Sequence, residues 1–201
     1  FAFVGMGGQI MIALPHRDFL FVCTGDNQGN AAAYDLIGNG LFRLVTDKMQ
    51  DPPIPVDEQS AQRLAKTVSG LTLRYMVSSC SEPKQAAVDG VRYLCGENPM
   101  GIREFTFRFL GEDQAELHYT NAQGKKVLPF GIGKNVFCKF PQLGYSDEYA
   151  GVYDEGSGFC YDAAVSAGWV EQEKLTLSVQ VIDRYFGNMT AEFSFRGDLA
   201  A

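Results

Sequence analysis

Two apolar runs separated by a short polar segment dominate the first part of the chain. Residues 9–14 (QIMIAL) and 19–24 (FLFVCT) are rich in aromatic and β-branched side chains, and residues 15–18 (PHRD) between them begin with proline. Two such runs across a short polar segment are typical of an antiparallel hairpin. We therefore predict two paired strands in this region.

A helix and a proline-rich linker follow the predicted hairpin. Residues 31–49 carry apolar side chains at helical spacing, directly after Asn30, which is a suitable amino-terminal cap. Residues 50–56 place proline at three of four consecutive positions, which favours an extended linker. The pattern thus predicts a first segment, 1–49, and a second domain, 57–201. A segment of about 50 residues buries too little surface to fold alone, so either the second domain or a preceding region must cover it.

Short apolar segments mark most of the predicted second domain as β-structure. Residues 56–68 first show a helix pattern, with Asp57 near its start. Such a helix followed by many short strands predicts an α+β fold that is mostly β, in which the second domain is an antiparallel, lipocalin-like β-barrel or a sandwich. The segments with the composition or alternation of strands are 71–77, 102–110, 115–120, 126–130, 135–140, 163–170, 174–182 and 189–196.

Aromatic side chains recur in this β-rich region and indicate an interior that is either filled or large enough for a ligand. Trp169, Tyr185 and Phe186 are the candidates for lining a ligand cavity, and a place in the hydrophobic core is the alternative for each. A small apolar molecule is the partner that a barrel cavity predicts.

Charge and hydropathy narrow the classes of partner. The 201 residues include 17 Lys and Arg against 24 Asp and Glu, which gives a formal net charge of -7 with the basic residues scattered. A nucleic-acid partner requires a basic face, so we expect none. No apolar run approaches the length needed to span a bilayer, and we expect no membrane partner.

The cysteines and histidines predict neither a disulfide framework nor a metal site. Five widely spaced cysteines without a C-x-x-C pair favour free thiols and a cytoplasmic location, with a single bridge of Cys80 to Cys95 as the alternative. His16 and His118 are far apart in the sequence, so we expect no zinc and no other cofactor.

A glycine-rich segment carries a family resemblance. Gly5, Met6, Gly7 and Gly8, followed by the predicted hairpin, resemble the last strands of β-lactamase-related serine hydrolases. The resemblance implies that these four residues lie on the strand beside the substrate, where glycines allow close approach and a backbone N–H serves the oxyanion. Met6 departs from the Lys or His of many relatives, because a thioether supplies neither charge nor a proton. A plain glycine-rich turn is the alternative for the four residues.

A second set of segments resembles the appended carboxy-terminal domain of some bacterial members of this family. The family uses a Ser-x-x-Lys nucleophile far upstream of the glycine-rich strand. The match in this chain, Ser81 to Lys84, lies downstream of that strand and contains Pro83, so we interpret it as coincidence. The resemblance implies the carboxy-terminal part of a serine hydrolase, inactive alone, whose partner is the missing hydrolase region. The segments that carry it are 129–135 (PFGIGKN), 139–141 (KFP), 167–169 (AGW) and 182–188 (IDRYFGN).

Three hypotheses from different classes follow from the sequence. The first is the nucleophile-free end of a β-lactamase-related serine hydrolase with an accessory β domain. The second is a lipocalin-like module that binds a small apolar ligand, which requires a cavity inside the barrel. The third is a structural domain that mediates packing or homo-oligomer formation.

Overall fold

The chain forms two compact units, Phe1–Thr72 and Leu73–Ala201, which we call the amino-terminal and carboxy-terminal units. The structure is a computed structural model that describes residues 1–25, 27, 32–50, 55–81, 83–143, 160–183, 187–196 and 199–200. Strands predominate over helices, which confirms the predicted α+β, mostly β class.

A three-stranded antiparallel sheet opens the amino-terminal unit. Its strands, in spatial order, are β1 (Ala2–Gly5), β2 (Gln9–Leu14) and β3 (Phe19–Cys23). The turn between β2 and β3 is a single 3-10 turn, Pro15–Arg17, closed by Asp18 in the left-handed conformation with φ of 48°. The predicted hairpin is therefore confirmed, with proline at the start of its turn.

Two helices complete this unit. The first, α1 (Ala32–Leu44), is shorter than predicted because residues 46–48 tighten into a 3-10 turn. The second, α2 (Glu58–Ser69), begins after Asp57, whose carboxylate caps it by accepting a hydrogen bond from the Ser60 N–H at 3.1 Å. The contacts group α2 with the amino-terminal unit, whereas the sequence pattern assigned it to the second domain. Asn30 and most of the predicted linker lie outside the described residues.

The carboxy-terminal unit is built on one nine-stranded sheet that curls into a half-barrel. Its elements are α3 (Gln85–Val88), β4 (Arg92–Leu94), β5 (Glu104–Phe109), β6 (Gln114–Asn121), β7 (Gly124–Ile132), β8 (Val136–Leu143), β9 (Cys160–Glu171), β10 (Lys174–Val181), β11 (Asn188–Arg196) and β12 (Leu199–Ala200). The spatial order of the strands is β12-β11-β10-β9-β7-β6-β5-β4, and β8 also pairs with β9. The barrel-like fold agrees with the barrel expected from the alternating segments.

One strand pair departs from the antiparallel pattern. The end of β7 runs parallel to β9, with Gly131 beside Ser166 and Ile132 beside Ala167. The chain then turns at Gly133, where φ is 67°, and returns as β8 along the same edge of β9. The long strand β9 therefore carries two successive partners on one edge and β10 on the other.

The segment 71–77, predicted as a strand, is extended but is assigned to no strand of the sheet. Residues 73–80, which we call the strap, instead cross the outer face of β9. The Met76 N–H donates to Ser166 Oγ at 3.0 Å, and the Ser79 N–H donates to the Trp169 carbonyl at 2.9 Å. The strap explains why Ser166, which points away from the barrel interior, is completely buried.

Candidate functional site

One end of the half-barrel interior is packed with aromatic rings. Phe107 is completely buried, and its neighbours extend around it on the concave face of the sheet. Trp169 is 1% exposed and packs against Phe109 and Phe195 in the same cluster. The rings of Phe105, Phe109, Phe130, Phe193 and Phe195 all lie with centroids 5.0–6.1 Å from that of Phe107. This end of the interior is filled by its own side chains, and two rings of the cluster, Phe105 and Phe193, also border the open part.

The other end of the interior is open and forms a cavity of about 610 Å³. Leucines from three strands lie on its inner surface, since alternate residues of each strand point to the concave face. Rings from β5, β6 and β11 add aromatic surface. These leucines and rings are Leu117, Leu128, Leu177, Phe105, Tyr119 and Phe193.

A loop between β4 and β5, residues 95–102, forms part of the cavity rim. Asn98 ties this loop together, because its side-chain amide donates to the Ile102 carbonyl at 2.7 Å and accepts from the Ile102 N–H at 3.0 Å. Gly101 turns the chain in the left-handed region with φ of 61°. The rim is therefore held in one shape by hydrogen bonds within the loop itself.

Tyr119 brings a polar atom to this apolar region. It is 3% exposed, and the side-chain amide of Gln142 lies close to its hydroxyl. Burial raises the pKa of Tyr119, so the phenol stays protonated at neutral pH and remains a hydrogen-bond donor.

The glycine-rich segment of the amino-terminal unit forms a turn. Strand β1 ends at Gly5, and Met6–Gly8 is a 3-10 turn that leads into β2. Gly7 and Gly8 are buried, and their backbone φ angles of 76° and 88° are ones that residues other than glycine rarely adopt. Met6 is 69% exposed at the tip of this turn.

Asn27 and Gln9 hold this turn in place. The Asn27 N–H donates to the Gly7 carbonyl at 2.8 Å, and Gln9 Nε2 donates to the Gly25 carbonyl at 2.5 Å. A Cβ atom on Gly8 would lie 2.6 Å from Asn27 Nδ2, so no larger residue fits without a shift of that amide. The four residues therefore have a conformational reason to be rich in glycine that is independent of any substrate.

The other predicted site residues lie apart from the cavity or outside the described structure. Trp169 belongs to the packed end and is not among the residues that line the cavity. Tyr185 and Phe186 lie outside the described residues. The sequence did not indicate the rim loop or its Asn98, although the closely spaced Gly96, Asn98 and Gly101 are a turn signal that could have been recognised.

The described residues offer no metal centre. All five cysteines are free, including Cys80 and Cys95, the pair considered for a bridge. Within the described ranges, no three His, Cys, Asp or Glu side chains gather closely enough to hold a metal ion. No helix among these residues has the length and apolar character required to cross a membrane.

Comparisons of the chain with protein-family models, with curated proteins and with solved structures found no match. A functional proposal for this protein therefore rests on the geometry of the half-barrel and on the chemistry of its lining.

Proposed function

We propose that the carboxy-terminal unit binds a small, mainly apolar molecule in the open end of its half-barrel. The observation that carries this proposal is the cavity of about 610 Å³, which has leucine and aromatic side chains on its inner surface. Ligand pockets commonly have volumes of about 300–1,000 Å³ and a mostly apolar lining with a few polar groups. Binding there would remove apolar surface of both partners from water.

The division of the interior into two ends supports this proposal. The rings around Phe107 already supply a packed core, so the half-barrel does not need a ligand in order to fold. The hydrogen bonds of Asn98 shape the rim before any ligand arrives. A cavity that is formed in advance loses less conformational entropy on binding, which favours affinity.

A substitution that fills the cavity tests this proposal. Ala191 lies on β11 and lines the cavity, directly beside Leu177 of the neighbouring strand β10. We expect Ala191→Phe to weaken saturable binding of the neutral probe N-phenyl-1-naphthylamine by about tenfold or more, because the added ring occupies ligand volume. Fluorescence titration of the whole chain measures the affinity.

Val127→Phe is the matched control for this experiment. Val127 is 43% exposed on β7 and does not line the cavity, so the same type of enlargement there should leave the affinity unchanged. A wild-type chain that fails to bind the probe saturably, or an Ala191→Phe variant with wild-type affinity, contradicts the proposal.

We also propose a second candidate function, in which the amino-terminal unit is part of a β-lactamase-related serine hydrolase. The sheet β1-β2-β3 is apolar on both faces. On one face, Phe3 lies opposite Met11 and Met11 opposite Val22, while on the other face Ile12 lies opposite Phe21. Phe3 and Val22 are each 61% exposed. Sheets that are apolar on both faces are usually covered on both, which fits a place inside a larger hydrolase domain.

The interpretation of the Ser81 to Lys84 match as coincidence has a direct test. Ser81 is exposed, and the Lys84 ammonium forms an ion pair with Glu173 instead of approaching Ser81. We expect the chain to hydrolyse nitrophenyl acetate no faster than its Ser81→Ala variant does. A Ser81-dependent burst in stopped-flow absorbance would refute this interpretation of Ser81.

The relation to the hydrolase family has a separate test. We expect the coding sequence upstream of Phe1 to contain a Ser-x-x-Lys motif at the start of a predicted helix. An upstream reading frame that lacks this motif would remove the basis of the second candidate, while the ligand-binding proposal would be unaffected.

A further inference from the structure

We infer that the preferred ligand of the half-barrel carries a positive charge on its apolar body. This inference rests on the ligand-binding function proposed above and adds the charge of the ligand to it. Among the described residues that border the cavity are two acidic ones, Glu97 and Glu192, and none of these described residues is a lysine, an arginine or a histidine.

The two acidic residues lie on opposite sides of the seam at which β4 and β11 face each other. Glu97 lies in the rim loop that follows the edge strand β4, and Glu192 lies on β11. The curl of the sheet brings these two strands together, since the ring centroid of Tyr93 on β4 is 5.6 Å from that of Phe195 on β11. Glu192 points to the outer face, because it alternates with the inward-facing Ala191 and Phe193, so Glu97 is the residue that brings negative charge to the mouth of the cavity.

Glu97 carries most of this inference. The Glu192 carboxylate already pairs with the Lys174 ammonium at 3.0 Å, which offsets part of its charge. Glu97 is exposed on the rim and forms no ion pair within the described part of the chain. Its neighbour Asn98 fixes the backbone of the loop and so fixes the place from which the Glu97 side chain extends.

The aromatic lining favours the same sign of charge. Phe105 and Phe193 lie 5.2 Å apart between ring centroids, and both line the cavity. The faces of such rings attract cations and repel anions. The net charge of -7 adds a long-range field that attracts cationic molecules and disfavours anionic ones.

Three ligands with one twelve-carbon chain test the inference. Dodecyltrimethylammonium, dodecanol and dodecanoate would each compete with N-phenyl-1-naphthylamine for the whole chain, below their aggregation concentrations and at low salt. We expect the ammonium ligand to bind about tenfold more tightly than the carboxylate, with the alcohol between them. The emission of Trp169, the only tryptophan, reports in each titration whether the packed end of the half-barrel stays intact.

Glu97→Gln is the decisive variant. We expect it to reduce the ratio of ammonium to carboxylate affinity severalfold while leaving the affinity for dodecanol unchanged. Glu112→Gln is the matched control, because Glu112 is exposed in the turn between β5 and β6 and does not line the cavity. This control makes the same change in net charge and should leave the ratio close to that of the wild type.

The possible failures of the inference and of the proposed function differ. Dodecanoate binding as tightly as the ammonium ligand, or equal ratios in Glu97→Gln and Glu112→Gln, would overturn the charge inference and leave apolar binding in place. A probe that does not bind, or that none of the three ligands displaces, would overturn the binding function itself.

Discussion

Replacing Phe107 by alanine should lower the free energy of unfolding of the carboxy-terminal unit by about 3–5 kcal/mol. Phe107 is completely buried at the centre of the packed end, with ring neighbours on several strands. Its removal leaves a void that these strands cannot close, because backbone hydrogen bonds fix their spacing. A domain is stable by only about 5–15 kcal/mol, so this loss is a large part of the total.

Urea denaturation followed by the emission of Trp169 measures this effect, because Trp169 lies in the same cluster. Phe137→Ala is the matched control, since Phe137 is on β8 in the same unit and is 65% exposed. We expect the control to cost less than about 1 kcal/mol. Equal losses in the two variants would show that the rings around Phe107 are not the core of the unit.

Gly168→Ala should detach the strap from the half-barrel. A Cβ atom on Gly168 would lie 2.8 Å from the Val77 carbonyl oxygen and 2.9 Å from its carbon. Both atoms belong to the backbone of the strap, so no side-chain rotation relieves the clash. We expect a loss of about 1–3 kcal/mol in the free energy of unfolding, which is typical of overpacking.

Hydrogen exchange separates displacement of the strap from a general loss of stability. The amide protons of Met76 and Ser79 bond to β9 and should lose protection in Gly168→Ala, whereas those between β5 and β6 should keep it. Gly96→Ala is the control, because a Cβ there meets nothing within 4 Å. Unchanged protection at Met76 and Ser79 in Gly168→Ala would contradict the role given to Gly168.

The strands that could be predicted from the sequence are those in which apolar and polar residues alternate, because this alternation follows from the local geometry of a strand. Residues 114–121 alternate because this strand has one buried face, and alternation encodes that face directly. The strap has a similar apolar composition, yet its N–H groups bond to a serine side chain and to the end of β9. Whether an extended segment joins a sheet or crosses it depends on residues about ninety positions away.

The site was less predictable than the strands for a related reason. Trp169 and Leu177 both alternate inward, and only the curl of the sheet places the first in the packed end and the second beside the cavity. The glycines at 5–8 could equally have formed a strand or a turn, and the choice depends on φ at Gly7 and Gly8. Composition therefore indicated an interior but not which part of it is open.

Side chains, not backbone hydrogen bonds, close the half-barrel at its seam. Side chains such as Tyr93 and Phe195 join β4 to β11, whereas backbone hydrogen bonds join neighbours within the sheet. Widening this seam separates rings but breaks no ladder hydrogen bond between paired strands. The fit of the rings is therefore what sets the width of the interior, and the contacts of Phe107 with Phe193 and Phe195 hold the seam closed at the packed end.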